Sequence, residues 1–372
     1  MRKAILTIHL FLSLILGIFI VVTCTTGSLI TIEPELESWL YPIEKTPTSG
    51  DVGAAVIQEK ANAMNPEYKT DWIDTSRKDG FYHVHLSKDG KDGRLIYADP
   101  GTGEPFGKVQ DARREPFLTI YNLHRYFLLI NVIGKTQAAW FVGYLGIGLL
   151  LILLTGIYLW WPGLRKLALG FKIVRNRGKL MHNRSLHKTI GIITIPVLLI
   201  ASLTGVVNAF EKSIPGWVGF KAREEIPASA LQSKSKDGAI LPLKQVVEII
   251  NKSYPESSIM KIMMPQKPGQ SYQIAMKEGI SGTGGSNTTV YMDATSGDIL
   301  YKTNPNLLIN AYNSWRKGLH FATWGGITTR LISFLFGMMP LVLMITGVVI
   351  WRLKAQARKR SSKTKAKSPM AA

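Results

Sequence analysis

Four stretches of the chain, 4–32, 136–164, 189–210 and 331–351, contain no Asp, Glu, Lys or Arg. Each holds the roughly 20 apolar residues that a helix needs to cross a bilayer, so the pattern predicts four membrane spans. Between the spans the period changes. Phe81–Ser87 and Arg94–Ala98 alternate apolar with polar positions, as do Ser271–Met276 and Thr288–Met292, which predicts strands. Segments 51–64 and 243–253 read as helices. The runs Asp99-Pro100-Gly101-Thr102-Gly103 and Asp293-Ala294-Thr295-Ser296-Gly297 read as turns, with Asp closing an Asx-turn and Gly free to take positive φ.

The halves of the chain fall into register when His9 is set against His187. Thr26-Gly27 then matches Thr204-Gly205, Glu33 matches Glu211, and Trp39 matches Trp217 without a gap. Further on, the two Asp-turn runs coincide, His124 matches His320, and Thr155-Gly156 before Trp160 matches Thr346-Gly347 before Trp351. The expected plan is span, external domain, span, repeated once in the same orientation. Parallel repeats of this kind are related by a pseudo-two-fold axis along the membrane normal.

The divisions that follow are span 1 over 4–32, a first α+β module over 33–116, an amphipathic segment over 117–134, and span 2 over 136–164. A connection over 165–188, span 3 over 189–210, a second module over 212–310, an amphipathic segment over 311–330, span 4 over 331–351 and a basic tail over 352–372 complete the chain. Pro196 and Pro340 are expected to kink spans 3 and 4. Trp160, Trp161 and Trp351 read as interfacial belt residues.

Charge orients this plan. Of the 372 residues, 45 are Lys or Arg and 25 are Asp or Glu, a formal net charge of +20. Arg2 and Lys3 precede span 1, while 162–188 and the tail from Arg352 are rich in Lys and Arg and have no acid. By the positive-inside rule, both termini and the middle connection are cytoplasmic, and the modules lie outside. A nucleic-acid-binding reading loses its basis, because these charges flank spans. Met1-Arg2-Lys3 before an apolar run resembles a signal peptide. The run is longer than a usual signal core, however, and Val21-Val22-Thr23-Cys24 makes a poor lipobox. The single cysteine, Cys24, excludes an intramolecular disulfide framework, a CxxCH haem attachment and a Cys-ligated iron–sulfur cluster.

Four of the seven histidines occupy repeat-related positions. His9 and His187 belong to the cytoplasmic ends of spans 1 and 3, and His187 is expected to open span 3. His124 and His320 precede spans 2 and 4 on the outer side. An imidazole inside a bundle is costly unless hydrogen-bonded or ligated, and two facing imidazoles are the axial set of a six-coordinate b-type haem. Two pairs therefore suggest two b-type haems, one near each face. Zinc would need a third ligand from Asp, Glu or Cys that neither pair offers. His182 is the alternative ligand to His187. Arg125, Arg184 and Arg330 stand where propionates could reach water. His83 and His85 would share one strand face, Met260, Met263 and Met264 read as a helix face, and the four Thr-Gly pairs read as packing sites that let a helix or a flat macrocycle approach.

Leu123-His124-Arg125, Leu186-His187-Lys188 and the ending Thr155-Gly156-Ile157-Tyr158-Leu159-Trp160-Trp161-Pro162, with the two inserted modules, resemble the PepSY-associated transmembrane family from about residue 5 to 352. Lys188 stands where Arg is common, and His320 is followed by Phe321-Ala322; neither change removes a ligand. The resemblance implies PepSY-like modules and, as in iron-regulated members and ferric-siderophore reductases, two b-type haems held by histidines. The expected activity is a haem oxidoreductase of the bacterial inner membrane, passing electrons to an external ferric-siderophore or similar acceptor. No GxGxxG run occurs in the cytoplasmic segments, so a quinol or a cytoplasmic reductase would serve as separate donor. The alternative is a non-enzymatic PepSY binding or regulatory membrane protein acting on a peptide or protease. A transporter ranks last, because four spans make a thin bundle.

Overall fold

The computed structural model describes residues 1–76, 79–88, 91–110, 115–211, 213, 223–235, 238–278 and 287–367; Trp217, set against Trp39 above, lies outside them. The chain forms two compact units. One takes Met1–Glu35, Phe117–Val218 and Leu319–Ala372, the other Leu36–Pro116 and Gly219–Gly318.

The first unit is a helical bundle. Span 1 is Arg2–Thr31, span 2 Lys135–Trp160, span 3 Gly178–Phe210 and span 4 Gly326–Arg360, all apolar enough to cross a membrane. At about 1.5 Å per residue the shortest is about 39 Å long, against a hydrocarbon core of about 30 Å. Span 1 packs against spans 2 and 4, and span 3 packs against the same two. Each span buries one flank on its neighbours and leaves residues such as Ile15, Leu151, Leu203 and Leu335 exposed. That exposure suits a bundle whose solvent is lipid.

The bundle departs from the sequence reading in several places. Span 3 begins at Gly178, so His187 sits well inside a helix instead of opening it; the basic residues of 179–188 are good helix formers and extend it. Span 4 is interrupted at Met338, between helices Gly326–Gly337 and Met339–Lys367. Pro340 explains the break, since it lacks the N–H for an i→i−4 bond. Pro196, by contrast, lies within a continuous helix. Trp160 is not a belt residue: it is buried, and its Nε1 donates to the Gly170 carbonyl at 3.0 Å. Trp161 and Trp351 remain partly exposed.

The second unit holds one antiparallel sheet of eight strands: β1 Lys69–Asp74, β2 Tyr82–Lys88, β3 Lys91–Ala98, β4 Pro105–Gln110, β5 Ser257–Met263, β6 Tyr272–Glu278, β7 Asn287–Met292 and β8 Ile299–Lys302. Their order is β4-β3-β2-β1-β5-β6-β7-β8. Two meanders from distant parts of the chain are thus joined edge to edge, with Trp72 opposite Met263 and Asp74 opposite Lys261. The sequence reading treated them as separate modules and missed β1, β4, β5 and β8. Pairing β1 with β5 removes two exposed edges, which a free-standing meander would have to protect. Met260 and Met263 belong to strand β5, with Met264 just after it, so the reading of a methionine helix face is corrected.

Helices Gly53–Met64 and Leu243–Ser253 pack on one face of this sheet. Their buried positions share one spacing, Ala54, Ile57 and Ala61 in the first and Leu243, Val246 and Ile250 in the second. These meet Ile73, Val84, Ile96, Ile262, Ile274, Val290 and Met292 in a single core. Each such buried aliphatic side chain contributes roughly 1.5–3 kcal/mol.

The two Asp-turns are built alike. Gly103 (φ 71°) and Gly297 (φ 78°) take the left-handed conformation and donate to the carbonyls of Asp99 and Asp293. The Asp99 carboxylate is buried; it accepts from the Thr48 amide and hydroxyl and from the Thr102 amide and hydroxyl. Asp293 accepts from the Lys234, Thr295 and Ser296 amides and the Thr295 hydroxyl. Burial alone would raise both carboxyls, but these donors outweigh it, holding Asp99 well below the usual range and Asp293 at about 2. A depressed carboxyl stabilises the fold above the unfolded pKa of about 3.9 and ceases to do so as pH falls through the folded value. Thermal melts should therefore lose midpoint between about pH 4 and pH 2, and Asp293→Asn should flatten that limb. An unchanged acid limb in the variant would contradict this account.

Candidate functional site

The repeat-related histidines meet in two pairs at opposite ends of the bundle. On span 1, His9 Nδ1 lies 2.9 Å from Thr155 Oγ1 of span 2. On span 3, His187 Nδ1 lies 2.9 Å from Thr346 Oγ1 of span 4. The His187 ring lies within electrostatic reach of His9. At the far end, His124 is in the last turn of helix Phe117–Tyr126, and its Nδ1–H donates to the Thr23 carbonyl of span 1 at 2.9 Å. His320 closes helix Leu308–His320, with Nδ1 3.0 Å from Thr204 Oγ1 of span 3. Both helices stop there because the chain turns left-handed, at Phe127 (φ 52°) and Leu128 (φ 59°) in one case and at Ala322 (φ 53°) in the other. Measured along spans 1 and 3, the two ends are about 21–26 Å apart at about 1.5 Å per residue.

A glycine lies beneath every ring. A β-carbon built on Gly27 would come 2.6 Å from His124 Cε1, and one on Gly205 would come 3.2 Å from His320 Cε1. Gly156 and Gly347 stand in the same relation to His9 and His187, each at 3.6 Å from Cε1. Each of these glycines therefore lies under a histidine of its own half of the chain. Sequence reasoning singled out the Thr-Gly pairs as packing sites but missed their assignment to particular rings. The offset of Thr26 from His9 recurs from His187 to Thr204, 17 residues in each case, but it does not point to the ring each glycine lies under.

The residues present fit a b-type haem. The His124 and His320 ring centres are 6.2 Å apart with planes inclined by 34°. Two imidazoles ligating one metal from opposite sides would separate their centres by about 6 Å, given metal–nitrogen bonds of about 2 Å and about 1 Å from nitrogen to ring centre. The rings open on a cavity lined mainly by apolar residues of all four spans, including Ile20, Leu145 and Leu198. A donor set of two imidazoles suits a metal whose other ligands travel with it, as iron does in a porphyrin. Among the described residues, no group of three or more His, Cys, Asp or Glu side chains could hold a bare ion.

The arginines divide. Arg125 lines that cavity, and its Nε donates to the Tyr126 hydroxyl at 2.9 Å. The Arg330 guanidinium is engaged elsewhere: Nε donates to the Thr31 carbonyl at 2.6 Å, and Nη1 and Nη2 reach Glu35 at 2.7 and 2.5 Å. Arg184 is exposed one turn before His187. His182 Nδ1 donates to the Val174 carbonyl at 3.0 Å. At about 100° per residue it points about 140° away from His187 around the helix. His187 is the residue brought to His9.

His83 and His85 lie on β2, in the sheet. His83 Nε2 is 2.7 Å from Asp79. His85 Nδ1 is 2.9 Å from Asp71, and its ring stacks on Trp72 at 5.0 Å. Each has a carboxylate partner and an aromatic neighbour, the ordinary lot of a half-buried histidine.

Four apolar spans around two internal histidine pairs define a multi-pass membrane protein. The chain belongs to the PepSY-associated transmembrane family: the PepSY-associated TM region matches residues 6–354. No curated protein matches it.

Proposed function

We propose that the chain is a di-haem b membrane oxidoreductase that passes electrons from the cytoplasmic side or the quinol pool to an extracytoplasmic ferric chelate, of which a ferric-siderophore is the best candidate. The observation that carries this reading is the 6.2 Å separation of the His124 and His320 rings, with a second histidine pair at the other end of the same bundle. When bound, the haems supply one-electron chemistry. The chain's own part is to present four imidazoles, seat each ring over a glycine and keep the cavity walls apolar. The acid-free basic segments 162–188 and 352–372 flank the His9/His187 end, and by the positive-inside rule they support a cytoplasmic place for that end, with the His124/His320 end towards the acceptor. Gaining one electron converts Fe(III) to Fe(II), which hard oxygen ligands hold less tightly, so the metal is released.

The test is an anaerobic mixing experiment. Protein reduced by stoichiometric dithionite should lose its reduced haem spectrum on addition of a ferric hydroxamate, while a ferrous-specific chelator captures Fe(II). A reduced spectrum that persists, with no Fe(II) trapped, would refute the proposed acceptor chemistry.

A further inference from the structure

The threonines beside the histidines are themselves hydrogen-bonded in a way that fixes proton positions. Thr155 Oγ1 donates to the Leu151 carbonyl at 2.7 Å, Thr346 Oγ1 to the Val342 carbonyl at 2.9 Å, and Thr204 Oγ1 to the Ile200 carbonyl at 2.7 Å. A hydroxyl has one proton and two lone pairs. With its proton committed one turn back along its own helix, each threonine can only accept from the ring that faces it.

We infer that Thr155, Thr346 and Thr204 are positioning residues that hold His9, His187 and His320 as the Nδ1–H tautomer, so that Nε2 presents its lone pair into the bundle. The fourth histidine reaches the same state by another route. His124 faces the Thr23 carbonyl, which has no proton to give, so this ring must donate from Nδ1. Thr26, the threonine at the corresponding step, turns its hydroxyl to its own helix, 2.7 Å from the Val22 carbonyl and 3.0 Å from that of Thr23. Leaving a ring N–H unpaired in hydrocarbon carries the full desolvation penalty of an unsatisfied donor, enough to decide the tautomer. A metal-ligating histidine needs this arrangement, with one nitrogen donating to a fixed acceptor and the other unprotonated.

The inference rests on the di-haem reading for its purpose but not for its test. Thr→Val keeps the side-chain shape and removes the hydroxyl; Thr→Ser keeps the hydroxyl. In haem-stripped protein labelled with ¹⁵N-histidine, the wild-type rings should show protonated Nδ1 and unprotonated Nε2. Thr155→Val, Thr346→Val and Thr204→Val should each shift one ring away from that state, and the Ser variants should restore it. In loaded protein each Val variant should hold its haem about 10–100-fold more weakly, again with recovery in Ser. Wild-type rings protonated at Nε2, or Val variants indistinguishable from wild type in the nitrogen spectra, would overturn the assignment. If the nitrogen spectra respond as expected but the protein takes up no haem, the tautomer assignment stands and the di-haem reading falls.

Discussion

Alanine at His124 or His320 should strip the haem of that end and leave the other, so that the purified variant retains about half of the wild-type haem absorbance. His9→Ala and His187→Ala should do the same at the opposite end. The expectation follows from the pairing: each end offers two imidazoles from different halves of the chain, and six-coordinate low-spin iron needs both. Loss at one end should spare the other, because the ends are separated by about 21–26 Å of helix. The four variants should therefore fall into two spectroscopic classes, with the double variants His9→Ala/His187→Ala and His124→Ala/His320→Ala matching their parents. Imidazole added to His124→Gly should return the missing signal, which distinguishes a lost ligand from a damaged bundle. Four variants with full haem content would mean that other groups bind it.

The second large effect concerns a single methyl group. Gly27→Ala should cripple the His124/His320 end, whereas Gly156→Ala should be nearly silent. A methyl at 27 would lie 2.6 Å from His124 Cε1, far inside van der Waals contact, and the ring cannot retreat without giving up the Thr23 carbonyl. Overpacking of this kind costs about 1–3 kcal/mol, and here it falls on the ligand itself. At 156 the methyl would stand 3.6 Å from His9 Cε1, an ordinary contact. Helix propensity favours Ala over Gly by about 1 kcal/mol at both sites, so a difference between the two variants reports the ring and not the helix. The readout is haem occupancy at each end; equal retention in both would contradict the cradle geometry.

Much of the architecture was legible because membrane spans announce themselves by what they lack. Runs without a charged residue located all four, and the boundaries erred where charge and helix coexist, as in 179–188, where a basic helix carries span 3 beyond the bilayer. Strands β2, β3, β6 and β7 show alternation, whereas β1, β4, β5 and β8 do not: β1 and β5 carry bulges in their pairings with β2 and β6. Nothing local signals that β1 pairs with β5 across some 180 residues of chain. Internal repetition made the histidine partners readable. It could not reveal which threonine holds which ring, since that depends on the rotation of spans 1 to 4 about their axes. Trp160 went wrong for a related reason: an aromatic at a span end usually meets lipid, but here Gly170 offers a flat surface and a carbonyl acceptor.

The decisive measurement is haem quantification on the detergent-purified wild-type chain, with spectra recorded oxidised and after dithionite, from cells supplied with haem precursor. The account predicts two low-spin b-type haems per chain. A folded, monodisperse preparation with no Soret absorption would contradict it.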